Sequence, residues 1–376
     1  MKNFELFLQQ TGLPFFYLKV GLALLFSFII TFFSVPTIIK ISRRKNLMDE
    51  PGQRSSHLRK IPNLGGIAIF YSIGICASIF AHEIFDLYKF LFASLIILLY
   101  VGVMDDIMVM RAYKKLIAQI LVSVLIVMGS DVRIRSFFGI FGIYELNYYF
   151  SVIFTVVTFI ILINALNLID GIDGLAGGYS LLCSALFGIS YFRLGSYNYP
   201  LVILSVCIIG SVLAFLYYNM SNYRNTKIFM GDTGSMLLGF LLAFTAVCFI
   251  DIFIDKKIPG MPRYYLQAAP AIAVAILILP IVDTLNVIIV RLIIGKSVLS
   301  ADKNHIHHKL LRMNLTHRRS SFYIMCYYLM IVAVAYYLRH IEVNLLLVVV
   351  LFLGFIGAYL PDMICLLKTQ KSEAKV

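Results

Sequence analysis

Eleven apolar stretches set the architecture of this chain. They lie near 16–39, 61–81, 87–104, 115–130, 148–168, 174–192, 199–218, 233–254, 266–294, 322–338 and 343–367, separated by short polar connections. A helix needs roughly 20 apolar residues to cross a bilayer, and several stretches exceed that. Hydrophobic residues make up 61% of the 376 and charged residues 14%, with mean hydropathy +0.90; soluble domains are nearer half apolar and a quarter charged. The expected fold is an all-α integral membrane protein of about eleven transmembrane helices, one polytopic domain over 1–376, with no internal repeat, low-complexity segment or soluble domain.

The first stretch, Val20 to Ile39, lacks a small-residue cleavage site after a short apolar core, so it reads as a retained span and not a signal peptide. The ninth is long and contains Pro270 and Pro280, which gives it a broken character, with Asp283 beyond. Cys76, Cys183, Cys207, Cys248, Cys326 and Cys365 all lie in apolar runs without CxxC spacing, as packing residues do. Trp is absent, so the 23 tyrosines supply most of the interfacial aromatic belt.

Short loops rich in Lys and Arg face the cytoplasm. Placing the N-terminus outside assigns 22 of the 32 Lys and Arg to cytoplasmic segments, clustered at 40–60, 111–115, 224–227, 291–319 and the C-terminal tail. The N-terminus is therefore expected outside and the C-terminus inside. Much of the net charge of +13 follows from that topology, although 291–319 is denser than topology requires. The same orientation brings Asp105–Asp106, Asn164 to Asp173, Asp232, Asp283 and His305 to His308 to the cytoplasmic face. Transporters place ionisable groups near the midplane. A one-sided site points instead to chemistry on a cytosolic molecule.

Each polar cluster has its own logic. Adjacent carboxylates repel unless a cation accompanies them, so Asp105 and Asp106, with Lys114 and Lys115 nearby, suit a divalent-metal or acid–base site facing phosphate. Asn164, Asn167 and Asp170 recur every three residues and share one broad helical face. Gly171 and Gly174 permit a break, after which Asp173 can cap the next span and expose a helix start suited to anions. In Gly-Asp-Thr-Gly-Ser, Asp232 fits Mg²⁺, which takes one or two protein carboxylates and leaves room for substrate phosphate. Arg54, His57, Arg59 and Lys60 precede the second span, either as a topology-setting loop or as substrate contacts. His305, His307 and His308, with Lys303, Lys309 and Arg312, lack a distant fourth ligand for zinc and suit phosphate or sugar better.

In order along the chain stand D-x-P-x-x-R-x-x-H, P-x-x-G-G, D-D, N-A-x-N-x-x-D-G-x-D-G-L, G-D-T-G-S and H-I-H-H. This series, over about 36–312, resembles the polyprenyl-phosphate N-acetylhexosamine-1-phosphate transferase family (glycosyltransferase family 4). The resemblance implies transfer of N-acetylhexosamine 1-phosphate from a UDP-N-acetylhexosamine to undecaprenyl phosphate, with release of UMP. It implies Mg²⁺ or Mn²⁺, a bacterial inner-membrane location with the site on the cytoplasmic face, and no nucleic-acid partner; a homodimer is compatible with it. By position, Asp232 and Asn167 match metal-binding residues, Asp105 and Asp106 the catalytic acidic pair, and Lys115 the lipid-phosphate lysine. Asp173 matches a uridine contact and Asp170 a further acidic position. Arg54, His57, Asn164, His305, His307 and His308 complete the implied substrate-binding set.

Phospho-MurNAc-pentapeptide translocases share the aspartates but carry three consecutive histidines and T-P-x-M-G-G. Here His57, Pro62 to Gly66 and H-I-H-H resemble the branch that uses UDP-GlcNAc or a similar N-acetylhexosamine donor, with Asn63 where many relatives have proline. A nucleotide-sugar or lipid transporter remains the alternative of another class, and it lacks midplane charges here. The CDP-alcohol phosphotransferase signature D-G-x-x-A-R is absent.

Overall fold

A computed structural model describes residues 15–48, 60–223, 225–254, 266–295 and 305–373. The helices are α1 (Phe15–Arg44), α2 (Gly65–Phe80), α3 (Leu91–Met108), α4 (Ala112–Val124, prolonged by a wider turn to Gly129), α5 (Tyr148–Ile169), α6 (Leu175–Arg193), α7 (Tyr199–Asn219), α8 (Gly231–Ile252), α9 (Ala269–Ile276), α10 (Ile278–Ile294), α11 (Ile306–Arg312), α12 (His317–Tyr337) and α13 (Val343–Glu373). Among the described residues nine helices, α4 counted with its wider turn and α7 with the turn before it, are long and apolar enough to cross a membrane; the bent pair α9–α10 makes a tenth candidate. The protein is thus a mostly helical, multi-pass membrane protein. Helix α2, at 16 residues, falls short by length.

Helix α8 forms the axis. A helix apolar all round belongs in an interior, and α8 is buried without interruption from Thr233 to Ile250. It packs against α2, α3, α5, α6 and α9. Small residues allow the closest crossings, as usual where helices meet in lipid. A Cβ on Gly102 would lie 2.5 Å from Thr233 Cα, and one on Gly66 would overlap the Gly234 backbone. The Gly-Gly of 65–66 is therefore a packing device that seats α2 on the head of α8, and Gly65 N and Gly66 N donate to the Phe229 and Met230 carbonyls. Gly66→Ala should destabilise the protein by about 1–3 kcal/mol or more through overpacking. Thermal unfolding in detergent checks this, and an unchanged midpoint would contradict the packing account.

The ninth apolar stretch is broken, and the break has a cause. Helices α9 and α10 meet at 77° around Leu277. Pro280 has no N–H, so the Ile276 carbonyl four residues earlier loses its helical donor. Tyr179 Oη (2.9 Å), Tyr328 Oη (3.0 Å) and Cys183 Sγ (3.2 Å) donate to it instead. Three side chains from α6 and α12 therefore hold the bend.

Residues 131–147 include a two-stranded hairpin, β1 (Ser136–Ile140) and β2 (Ile143–Glu145). Its two-residue turn has positive φ at Phe141 and Gly142, as the twist of such a hairpin favours. Asn344, near the start of α13, accepts from Phe141 N (2.9 Å) and donates to the Gly139 carbonyl (3.2 Å). All five described cysteines are free thiols, and all but Cys326 are buried.

Candidate active site

The site is built at the head of α8. Gly231 turns the chain into it with φ +72°, and a Cβ there would collide with the Asn63 carbonyl and the Asp106 carboxylate. The first N–H groups of a helix have no partner within it. Asp106, from the end of α3, supplies one: Oδ1 accepts from Asp232 N (2.8 Å), and Oδ2 from Thr233 N (3.0 Å) and Thr233 Oγ1 (2.6 Å). Asn63 Nδ2 donates to the Asp106 carbonyl (3.2 Å), a bond proline could not make.

Neighbouring residues on a helix point in different directions, and Asp105 is engaged elsewhere. Its Oδ1 accepts from Met110 N (2.6 Å), and its Oδ2 pairs with Lys115 Nζ from α4. Lys115 also bonds Asp232 Oδ2 at 2.5 Å. Asn167 Nδ2, from α5, donates to Asp232 Oδ1 (3.0 Å) and Ser235 Oγ (2.8 Å). Four helices thereby deliver Asp105, Lys115, Asn167 and Asp232 to one connected cluster.

Asn164 is not part of that cluster. Its amide exchanges hydrogen bonds with Gln119 (2.7 and 3.2 Å) and donates to the Ile160 carbonyl, which turns it into a lock between α4 and α5. The sequence offered no sign of Gln119, one polar residue inside an apolar run.

The loop 170–174 adds two carboxylates in different states. Burial pushes the Asp170 carboxyl up to about 8, with Asp232, Asp106 and Asp173 adding to the rise. Burial also opposes ionisation of Asp173, but His317 and Lys227 outweigh it and hold that carboxyl below its usual range. Lys227 Nζ lies 2.5 Å and His317 Nδ1 3.4 Å from Asp173 Oδ2, and Ser321 Oγ donates to the Asp173 carbonyl (2.8 Å). Asp173 does not cap the next helix. Gly174 takes the cap position with φ +78°, and its N–H donates to Asn219 Oδ1 (2.7 Å). The carboxylate is drawn to Lys227 and His317 instead. It lines a polar pocket of about 470 Å³ with Met220, Ser221, Asn222, Thr316 and His317.

The histidine segment reaches this loop through α11. Asp283 is 1% and His305 5% exposed. Asp283 Oδ2 lies 2.7 Å from His305 Nδ1, and Oδ1 accepts from Ile306 N (2.8 Å). His307 packs on Gly171, where any Cβ would strike its ring, and the His307 and His308 centroids are 4.2 Å apart. Lys309 does not face the acidic cluster; its Nζ pairs with Asp362 (2.6 Å) and donates to the Ala358 carbonyl (2.9 Å) in α13. Arg54, His57 and Lys303 lie outside the described residues.

Burial first, then His308, holds the His307 imidazole down to about 3, so it is neutral near pH 7. A group whose basicity falls on folding contributes stability above its unfolded value, about 6.5, and loses it as pH drops toward the folded value. The melting midpoint should fall between about pH 7.5 and 5, and fall less in His307→Gln. Equal shifts in both proteins would exclude His307 as the cause.

The donor set suits a hard divalent cation. Asp232 and Asp105 face one another across Lys115, and the half-buried Asp170 has no ion pair among the described residues. Among those residues no three His, Cys, Asp or Glu side chains gather as a metal-binding group. Carboxylates with an amide, in place of a histidine or cysteine cage, match Mg²⁺.

Comparison with known proteins places this geometry. The sequence model of glycosyl transferase family 4 matches residues 88–250, which carry Asp105, Asp106, Lys115, Asn164, Asn167, Asp170, Asp173 and Asp232 but not Asn63, Asp283 or the histidine segment. The decaprenyl-phosphate N-acetylglucosaminephosphotransferase of Mycobacterium leprae is 30% identical, over 84% of this chain and 82% of its own length. The chain belongs to glycosyl transferase family 4. Other members include the Bacillus subtilis protein named probable undecaprenyl-phosphate N-acetylglucosaminyl 1-phosphate transferase, 29% identical over 81% of this chain and 80% of its own. The undecaprenyl-phosphate alpha-N-acetylglucosaminyl 1-phosphate transferase of Yersinia pestis is 26% identical over 75% and 74%. In this family member the cluster at the head of α8 is the part the family model and the geometry share.

Proposed function

We propose that this chain transfers GlcNAc 1-phosphate from UDP-GlcNAc to undecaprenyl phosphate and releases UMP, opening cell-envelope polysaccharide synthesis. The observation that carries this is the Asp105–Lys115–Asp232–Asn167 cluster, in a chain whose relatives bear polyprenyl-phosphate N-acetylglucosamine transferase names. The lysine distribution supports a cytoplasmic site in a bacterial inner membrane, with the N-terminus outside, the C-terminus inside and α2 and α9–α10 completing eleven spans.

The chemical difficulty is to bring a charged acceptor phosphate against a charged diphosphate. Lys115 is the cation placed for the acceptor. Asp232 and Asn167 would hold Mg²⁺ (or Mn²⁺), which when bound neutralises diphosphate charge. Asp106 works one step back, holding the Asp232 backbone, and is a positioning residue in this reading. Asp173 and His317, in their polar pocket, are assigned to the uridine, and His305, His307 and His308 to the sugar diphosphate. A phosphate monoester has its second pKa near 6, so the acceptor arrives largely ionised and little base is required. Both Asp105 oxygens are already engaged, which favours direct attack by the lipid phosphate over a covalent aspartyl intermediate. Positioning and charge neutralisation then supply most of the catalysis.

The test is a panel of UDP-sugars with purified protein, undecaprenyl phosphate and Mg²⁺. UDP-GlcNAc should be the best donor, and chelation should abolish turnover until Mg²⁺ is restored. Preference for UDP-MurNAc-pentapeptide would move the chain to the other branch. Turnover unaffected by chelation would remove the metal.

A further inference from the structure

Asp283 stands outside the acidic cluster, is not matched by the family model, and is buried in α10 just past the bend. A buried carboxylate is costly unless both oxygens are partnered, and here both partners belong to one short element. Oδ2 meets His305 Nδ1 at 2.7 Å, and Oδ1 accepts from Ile306 N at 2.8 Å, the first N–H of α11. The elements above and below are fixed as well. Pro280 leaves the Ile276 carbonyl to Tyr179, Tyr328 and Cys183, which holds the bend at the end of α9, about two turns before Asp283. On the other side, His305 stacks near His307 with centroids 5.7 Å apart and planes within 12°, and His307 rests on Gly171 between the two loop carboxylates.

We infer that Asp283 is a positioning residue that fixes the ring of His305, and with it α11, so that the imidazole presents Nε2 to the sugar diphosphate of the donor. The inference rests on the proposed function for the identity of that donor. A carboxylate accepts only, so the nitrogen facing it carries hydrogen and the other ring nitrogen is left for another partner. Carboxylate–imidazole pairs set ring orientation in this way wherever a histidine must meet a ligand with one particular nitrogen. The bend in α9–α10 thereby gains a purpose, since a straight helix would not carry Asp283 toward α11.

Asp283→Asn is the informative variant. The amide oxygen can still accept from Ile306 N, while its NH₂ faces His305 and forces the ring to accept at Nδ1. In ¹⁵N spectra of histidine-labelled full-length protein in nanodiscs, the wild type should show His305 protonated at Nδ1, and Asp283→Asn should move the proton to Nε2. In turnover assays Asp283→Asn should lower kcat/KM for UDP-GlcNAc by about 10–100-fold, with the KM for undecaprenyl phosphate unchanged. In a His305→Ala background the same substitution should have no further effect. Should Asp283→Asn reduce activity on top of His305→Ala, or raise both KM values together, the role is merely structural and the inference fails. If Asp283→Asn does not fold, Asp283→Glu keeps the test open: it retains the carboxylate and should retain the Nδ1–H form, and an Nε2–H form there would overturn the inference. A wild type inactive with UDP-GlcNAc would refute the donor assignment alone, because the ¹⁵N result is read without turnover.

Discussion

Asp232→Asn is expected to lower kcat for UMP release on the order of 10³-fold or more, with the protein still folded in membranes. Asp232 touches more of the cluster than any other residue: Lys115 on Oδ2, Asn167 on Oδ1, and Asp106 through its backbone N–H. The amide has the same shape and keeps the backbone bond to Asp106, so the head of α8 survives. What is lost is the negative charge that balances Lys115 and that a divalent cation would need. Transfer should therefore fall far more than stability. UMP release near the wild-type rate, from protein with a normal melting profile, would remove Asp232 from the chemistry.

Asp106→Ala should have the second-largest effect, and of a different kind. It strips partners from Asp232 N, Thr233 N and Thr233 Oγ1 at once, and Thr233 is fully buried. A lost cap and stranded buried donors cost about 2–4 kcal/mol. Because the same backbone carries Asp232, activity should fall with stability, by about 10²-fold or more for a misplacement of the reacting groups near 1 Å. Asp106→Asn should lie between, since it keeps acceptors for only part of the set. Thermal unfolding beside single-turnover transfer separates the roles. An Asp106→Ala protein as stable as the wild type yet inactive would mean that Asp106 acts on substrate directly.

These two variants mark where sequence reading succeeded and where it stopped. Nine of the expected spans, with the bent pair as a tenth candidate, were legible because hydrocarbon imposes length and apolarity directly. The broken ninth stretch was legible from Pro270 and Pro280, and its bend follows from the missing N–H of Pro280. The residues that assemble around Asp232 were legible by position along the chain. Their division of labour was not. Asp105 and Asp106 are adjacent in sequence but project differently from one helix end, so one meets Lys115 and the other caps α8. Asn164 shared a helical face with Asn167, yet it pairs with Gln119 because α4 presents an amide at that height. Lys227 looked like a topology charge and His317 carried no signal, and only the return of α12 to the 170–174 loop shows them holding Asp173. Lys309 looked like a phosphate ligand until α13 supplied Asp362. Partners dozens of residues apart leave no local mark.

If this cluster moves a sugar phosphate, intact, from nucleotide to lipid, the β-phosphate of the donor must travel with the sugar. UDP-GlcNAc labelled with ³²P in the β-phosphate, incubated with purified protein, undecaprenyl phosphate and Mg²⁺, tests it most directly. The label should appear in the lipid fraction in equal amount to the UMP released, and neither should form without the lipid phosphate. Label remaining in UDP, or released as free GlcNAc 1-phosphate while the lipid stays unlabelled, would contradict it.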